Sequence, residues 1–174
     1  FTEFNLLENI FLNENITITE LTEVLYVSSS TIYRLIDQIN EKFKDKNFKI
    51  ETNPCRIIGS ENEIRYFFYN YFYEKYSSLD WPYKNINENG LDKFLQFFIE
   101  FTQIEVDFAY YNVFKTVSVI NLIRYKQGYC IDTSNIKTNF DEIIPNLAAF
   151  QDTFHYFEQT NQVKVNNTLI QQMF

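Results

Sequence analysis

Between Ile16 and Arg34 the chain reads ITITELTEVLYVSSSTIYR, two runs of helical periodicity separated by a short break. Thr17 stands where a helix N-cap is expected, with Glu20 three residues on to reach back to the cap's own N–H. Ile16 and Leu21 are spaced as a hydrophobic staple, and Leu21, Val24 and Leu25 share one face. Tyr26-Val27-Ser28 makes the turn, Ser28 caps a second helix, and Val27 with Ile32 repeats the staple. In that helix Ile32, Leu35, Ile36, Ile39 and Phe43 form an inward stripe, leaving Ser29, Ser30, Tyr33, Arg34, Asp37 and Gln38 outward. Hydroxyls, a guanidinium and an amide are groups able to read base edges in a DNA major groove.

This segment resembles the helix-turn-helix of bacterial regulators, with Leu21, Leu25, Val27, Ile32 and Leu35 in its five apolar positions. Two residues depart from that pattern: Thr22, where alanine is usual, and Tyr26, where glycine is usual. A tyrosine there needs a left-handed or adjusted backbone, at a cost of about 1 kcal/mol. Phe48-Lys49-Ile50 and Arg56-Ile57-Ile58 then read as two short strands around an Asn53-Pro54 turn, a wing that needs a helical body to lie on. Phe48, Ile50 and Ile58 are expected to close the core. Candidate contacts to double-stranded DNA are Ser29, Ser30, Thr31, Tyr33, Arg34 and Gln38 on the second helix, and Lys49 and Arg56 on the wing.

A boundary is expected at Gly59-Ser60, giving a winged helix-turn-helix over residues 1–59 and a helical domain over 60–174. Ser60 and Glu63 read as a capping box opening a helix so rich in aromatics that it is either buried on several sides or an interface. Ser77-Ser78 and Trp81-Pro82 end it. A helix follows over about 88–103 with Leu91, Phe94, Leu95, Phe98 and Phe101 inward, and another over about 106–126 with Val113, Val117, Ile120 and Ile123 apolar. Gly128 stops that helix, and 132–139 is a polar loop. One helix over about 140–159, bent or begun at Pro145, and a last one over 165–174 complete an antiparallel bundle. The fold class is mainly α with one short β-hairpin.

Charge complicates the DNA reading. The net charge is −8, unfavourable for binding phosphates. The distribution offsets this in part. Residues 28–59 hold Arg34, Lys42, Lys44, Lys46, Lys49 and Arg56 against Asp37, Glu41, Asp45 and Glu51, a local +2. Modest, salt-sensitive affinity is expected, needing a dimer or a second DNA-binding unit. Cys55 and Cys130 form neither metal-ligand spacing nor a disulfide framework, and suit a reducing cytosol. No metal or cofactor is expected, and no apolar run reaches transmembrane length. A single histidine, no glycine-rich phosphate loop and no plausible catalytic triad argue against an enzyme. The chain starts at Phe1 and runs helix-like to its last residue, which reads as a fragment of a longer protein.

CRIIGSENEIRYFFYNYF followed by an LDWPY loop resembles the Mga/AtxA-type virulence regulators of Gram-positive bacteria, most strongly from Leu21 to Tyr83. Such regulators carry two N-terminal DNA-binding units, two phosphotransferase-system regulation domains (PRDs) and a C-terminal EIIB-like domain. The resemblance implies the second DNA-binding unit joined to the first PRD of a cytoplasmic, homodimeric transcription activator of virulence or carbohydrate-related genes. It also implies control by phosphocarrier proteins of the sugar phosphotransferase system, which phosphorylate histidine. His155, in FQDTFHYFEQ, is the one candidate, later in the domain than the position the resemblance implies for the family's phosphoacceptor; the alternative reading is a partly buried histidine among aromatics. The competing function is a helical interaction or sensor module whose winged helix binds protein. An RNA-binding antiterminator ranks last, because residues 1–45 read as helices rather than a β-rich module.

Overall fold

A computed structural model describes residues 2–174. The chain forms two compact units, one ending at Tyr66 and one spanning Phe67–Phe174.

The first unit contains α1 (Thr2–Leu12), α2 (Ile18–Leu25), α3 (Ser29–Lys42), β1 (Phe48–Glu51) and β2 (Arg56–Gly59). Its core is mostly aliphatic. Leu6, Leu7, Ile10 and Phe11 of α1, Leu21 of α2 and Ile32, Leu35, Ile36 and Ile39 of α3 are all buried. The strands pair antiparallel with Phe48 opposite Gly59, Lys49 opposite Ile58, Ile50 opposite Ile57 and Glu51 opposite Arg56. Opposed residues share a face. Ile57 therefore turns inward with Ile50, whereas the sequence pattern placed Ile58 there; Ile58 is half-buried on the outer face with Lys49.

α4 (Glu61–Lys75) runs from the first unit into the second. Its start differs from the expected capping box. Ser60 donates its N–H to the Asn47 carbonyl at 2.8 Å, and Glu63 Oε1 accepts from Asn47 Nδ2, also at 2.8 Å. Asn47, beside the wing, thus takes both groups that the box would have joined to each other.

The second unit continues with α5 (Glu88–Thr102), α6 (Phe108–Lys126), α7 (Phe140–Ile143), α8 (Gln151–Asn161) and α9 (Asn167–Met173). α5 packs on α8 and α6 on α9. Gly90 is required at the first of these contacts, because a Cβ there would lie 2.5 Å from Thr160 Oγ1. The single helix expected over about 140–159 is instead broken. Two 3-10 turns, Ile144–Asn146 and Ala148–Phe150, separate α7 from α8, with Pro145 at the start of the first. Proline can begin a helical turn but cannot continue the hydrogen-bond ladder. On α5, Phe97 is buried, Phe98 is half-buried and Phe101 is exposed, so the inward stripe is rotated from the expected one. On α6, Val113 and Val117 are half-buried, while Val119, Ile120, Leu122 and Ile123 form the buried part.

Candidate DNA-recognition site

The presenting helix is set by its caps. Thr17 Oγ1 accepts from the Glu20 N–H at 3.1 Å and the Glu20 carboxylate accepts from the Thr17 N–H at 2.7 Å, completing the reciprocal box at the start of α2. Those hydrogen bonds hold the exposed Glu20 carboxyl below the ordinary glutamate range. α2 ends at Tyr26 in the left-handed conformation, φ 55° and ψ 41°, with its N–H donated to the Thr22 carbonyl. The adjusted backbone expected of a tyrosine in this turn is therefore present. Ser28 then caps α3, its Oγ accepting from the Thr31 N–H at 3.3 Å.

α3 has 14 residues, which makes it about 21 Å long, ample to lie along a major groove. Its apolar stripe is buried, so the opposite face is left to water. Ser29, Ser30, Tyr33, Arg34 and Gln38 are exposed on it, and Thr31 is half-buried. Thr31 Oγ1 and Ser30 Oγ each lie 3.0 Å from Ser28 Oγ, so these hydroxyls already serve the cap. Arg34 Nη1 donates to Gln38 Oε1 at 3.3 Å, aligning a guanidinium and an amide one helical turn apart. A shallow groove runs beside them, its lining including Tyr33, Arg34, Asp37 and Gln38 and the ion-paired Lys42 and Glu3 of α1.

Lys49 and Arg56 share the outer face of the wing, as the register requires. Their charges differ in effect. Arg56 Nε pairs with Glu51 at 3.3 Å, whereas Lys49 has no ion pair among the described residues. Lys44 likewise pairs with Glu41, at 2.9 Å. The local excess of cations is thus partly neutralised within the protein.

The sequence reading missed what holds the wing against α3. Asn40 Nδ2 donates to the Ile50 carbonyl at 3.0 Å, and the Ile50 N–H donates to Asn40 Oδ1 at 2.8 Å. The Cys55 N–H donates to the Ile16 carbonyl at 2.9 Å, tying the wing's turn to the segment before α2. Asn40 follows the buried Ile39, at the edge of the stripe, and that position was its only signal. The burial of Cys55, which also pushes its thiol pKa up, reflects this second tether.

His155 lies on α8 with its side chain exposed, not partly buried; its neighbours Phe154 and Phe157 carry the packing.

Two family models match this chain. Residues 2–72 match the Mga helix-turn-helix domain, and residues 87–174 match the M protein trans-acting positive regulator (MGA) PRD domain. The chain belongs to the Mga family. A protein described as a trans-acting regulator in Streptococcus pneumoniae serotype 4 is 31% identical, covering 99% of this chain and 36% of its own length. The capsule synthesis positive regulators AcpA and AcpB of Bacillus anthracis are 28% and 22% identical, over 86% and 90% of this chain. The chain covers 30% and 32% of their lengths, so it spans about a third of the curated relatives it matches. The Mga helix-turn-helix match takes in every candidate DNA contact named above, and the PRD match takes in His155. The pairing is that of a transcriptional regulator carrying a PRD. Among the described residues no helix is long and apolar enough to cross a membrane.

Proposed function

We propose that α3 and the wing read double-stranded DNA for a larger, homodimeric transcription activator in the cytoplasm. The observation that carries this is the exposed polar face of α3 inside a matched Mga helix-turn-helix domain, its first turn fixed by Ser28 and its middle offering Tyr33, Arg34 and Gln38. In a helix-turn-helix the N-terminal part of the second helix meets base edges, and backbone contacts set its register. Ser29, Ser30, Thr31, Tyr33, Arg34 and Gln38 are assigned to the groove, and Lys49 and Arg56 to phosphates. The names of AcpA and AcpB as positive regulators favour activation over repression.

The test is promoter binding by the full regulator carrying Tyr33→Ala and Arg34→Ala. Losing a bidentate base contact costs about 1–3 kcal/mol, so the pair is expected to weaken specific binding by about five- to 150-fold with helical content unchanged. Retained affinity would refute the recognition-helix assignment and favour the protein-binding alternative.

The PRD is proposed to receive phosphate from phosphocarrier proteins of the sugar phosphotransferase system. His155, the chain's single histidine, has the exposure such a transfer needs. A phosphate there adds about −1.5 to −2 charge to α8. Incubation with phosphorylated HPr should label the wild-type chain and not His155→Ala; an unlabelled wild type would exclude this input.

A further inference from the structure

We propose that Tyr26 is itself a DNA-contacting residue, its phenol donating to a backbone phosphate; this rests on the recognition reading above. Among the described residues six non-glycines adopt positive φ: Asn15, Tyr26, Asn47, Asn53, Gln103 and Gln162. Five of them are carboxamides, three being asparagine, the side chain that tolerates this conformation through local hydrogen bonds. Tyr26 is the exception.

The fold gains nothing visible from the tyrosine. Tyr26 is 93% exposed, and its side chain has no hydrogen bond or ring partner among the described residues. The hydrogen bonds of the turn are made by main chain, from the Tyr26 and Val27 N–H groups to the Thr22 carbonyl, and any residue except proline could supply them. Glycine would satisfy the same backbone without strain. A strained position that contributes no packing points outward for its purpose.

The location supplies the partner. Tyr26 stands two residues before Ser28, the cap of α3, and outside the helix whose face is directed at bases. A side chain of the turn is therefore placed for the DNA backbone, where tyrosine hydroxyls are common donors. Such a contact orients the module on the duplex without reading sequence.

Strain and function here predict opposite signs. In the full regulator, Tyr26→Gly and Tyr26→Asn should keep or raise the melting temperature. Both should lower affinity about tenfold, the worth of one hydrogen bond to a charged group, equally on promoter and on unrelated DNA. Tyr26→Phe should lose most of the same factor. Unchanged affinity in the glycine variant would overturn the proposal, and so would a fall in its melting temperature, since Tyr26 would then be serving the fold. Full affinity in Tyr26→Phe would overturn the phosphate contact. The Tyr33→Ala, Arg34→Ala regulator separates the two ideas. If it also keeps full affinity, the recognition reading has failed; if it alone loses binding, only Tyr26 was misassigned.

Discussion

The winged unit and the PRD unit solve one local problem alike and build their cores differently. In each, one residue outside the helices, in strand β1 or in the loop after α6, has both its backbone groups taken by a carboxamide from a helix. Asn40 of α3 does this for Ile50, and Gln172 of α9 does it for Ile131, at 2.8 Å from the N–H and 3.0 Å to the carbonyl. The cores diverge. α1–α3 close over leucine and isoleucine, whereas α5 and α8 close over stacked rings. Phe94 lies on Phe157 at 4.2 Å and 9°, and Phe97 meets Phe154 edge-on at 4.7 Å and 87°. Aliphatic stripes adapt to small losses; interlocked rings concentrate stability in few residues.

The strongest break in that comparison is Phe94→Ala. Phe94 is fully buried and touches Phe98, Phe154 and Phe157. Removing the ring is expected to destabilise the PRD unit by about 3–5 kcal/mol. Urea denaturation followed by near-ultraviolet circular dichroism measures it. A loss below about 1 kcal/mol would mean the neighbouring rings collapse into the space, and the two cores would then be alike in tolerance.

The shared device gives a smaller effect. Asn40→Ala leaves the Ile50 N–H and carbonyl without their side-chain partner, a loss of about 1–3 kcal/mol if water cannot replace it. Hydrogen exchange should quicken at the Ile50 amide and along the wing while α3 stays protected. Equal acceleration along α3 would show that Asn40 supports the helix rather than the wing. Gln172→Ala should act in the same way at the Ile131 amide.

These contrasts also explain which parts of the molecule the sequence discloses. α2 and α3 are legible because Thr17, Glu20 and Ser28 act within three residues of themselves, and one aliphatic stripe has one direction. The polar face proposed as the DNA reader follows directly as its complement. The wing's existence was legible but its facing was not. Arg56-Ile57-Ile58 offers two adjacent isoleucines, and only the pairing with Ile50 selects Ile57. In the PRD the period is blurred by size: α5 carries Phe94, Phe97, Phe98 and Phe101, and large rings fill space from several positions. The break between α7 and α8 follows from Pro145, but its extent depends on contacts such as Gln151 Nε2 to the Ile144 carbonyl, at 3.1 Å. Asn40, Asn47 and Gln172 were invisible for a common reason. Each is a polar residue whose partner lies ten or more positions away, so no local spacing announces it.

The smallest expected effect tests how local the legible part is. Glu20 titrates below the ordinary glutamate range because Thr17 donates to its carboxylate from both the backbone N–H and the hydroxyl. A folded-state value below the unfolded one means the cap's contribution is complete at neutral pH. It is lost as pH falls through the folded value, where the carboxylate takes up a proton. The Thr17 amide resonance should follow that titration in acid, and α2 should fray from its first turn. Glu20→Gln keeps a neutral acceptor for the Thr17 N–H but cannot titrate, so it should make the fraying independent of pH and lower neutral-pH stability to about the level the wild type has in acid. If the fraying of α2 still increases in acid with glutamine in place, the acid sensitivity lies outside the capping box, and the start of this helix is held by tertiary packing.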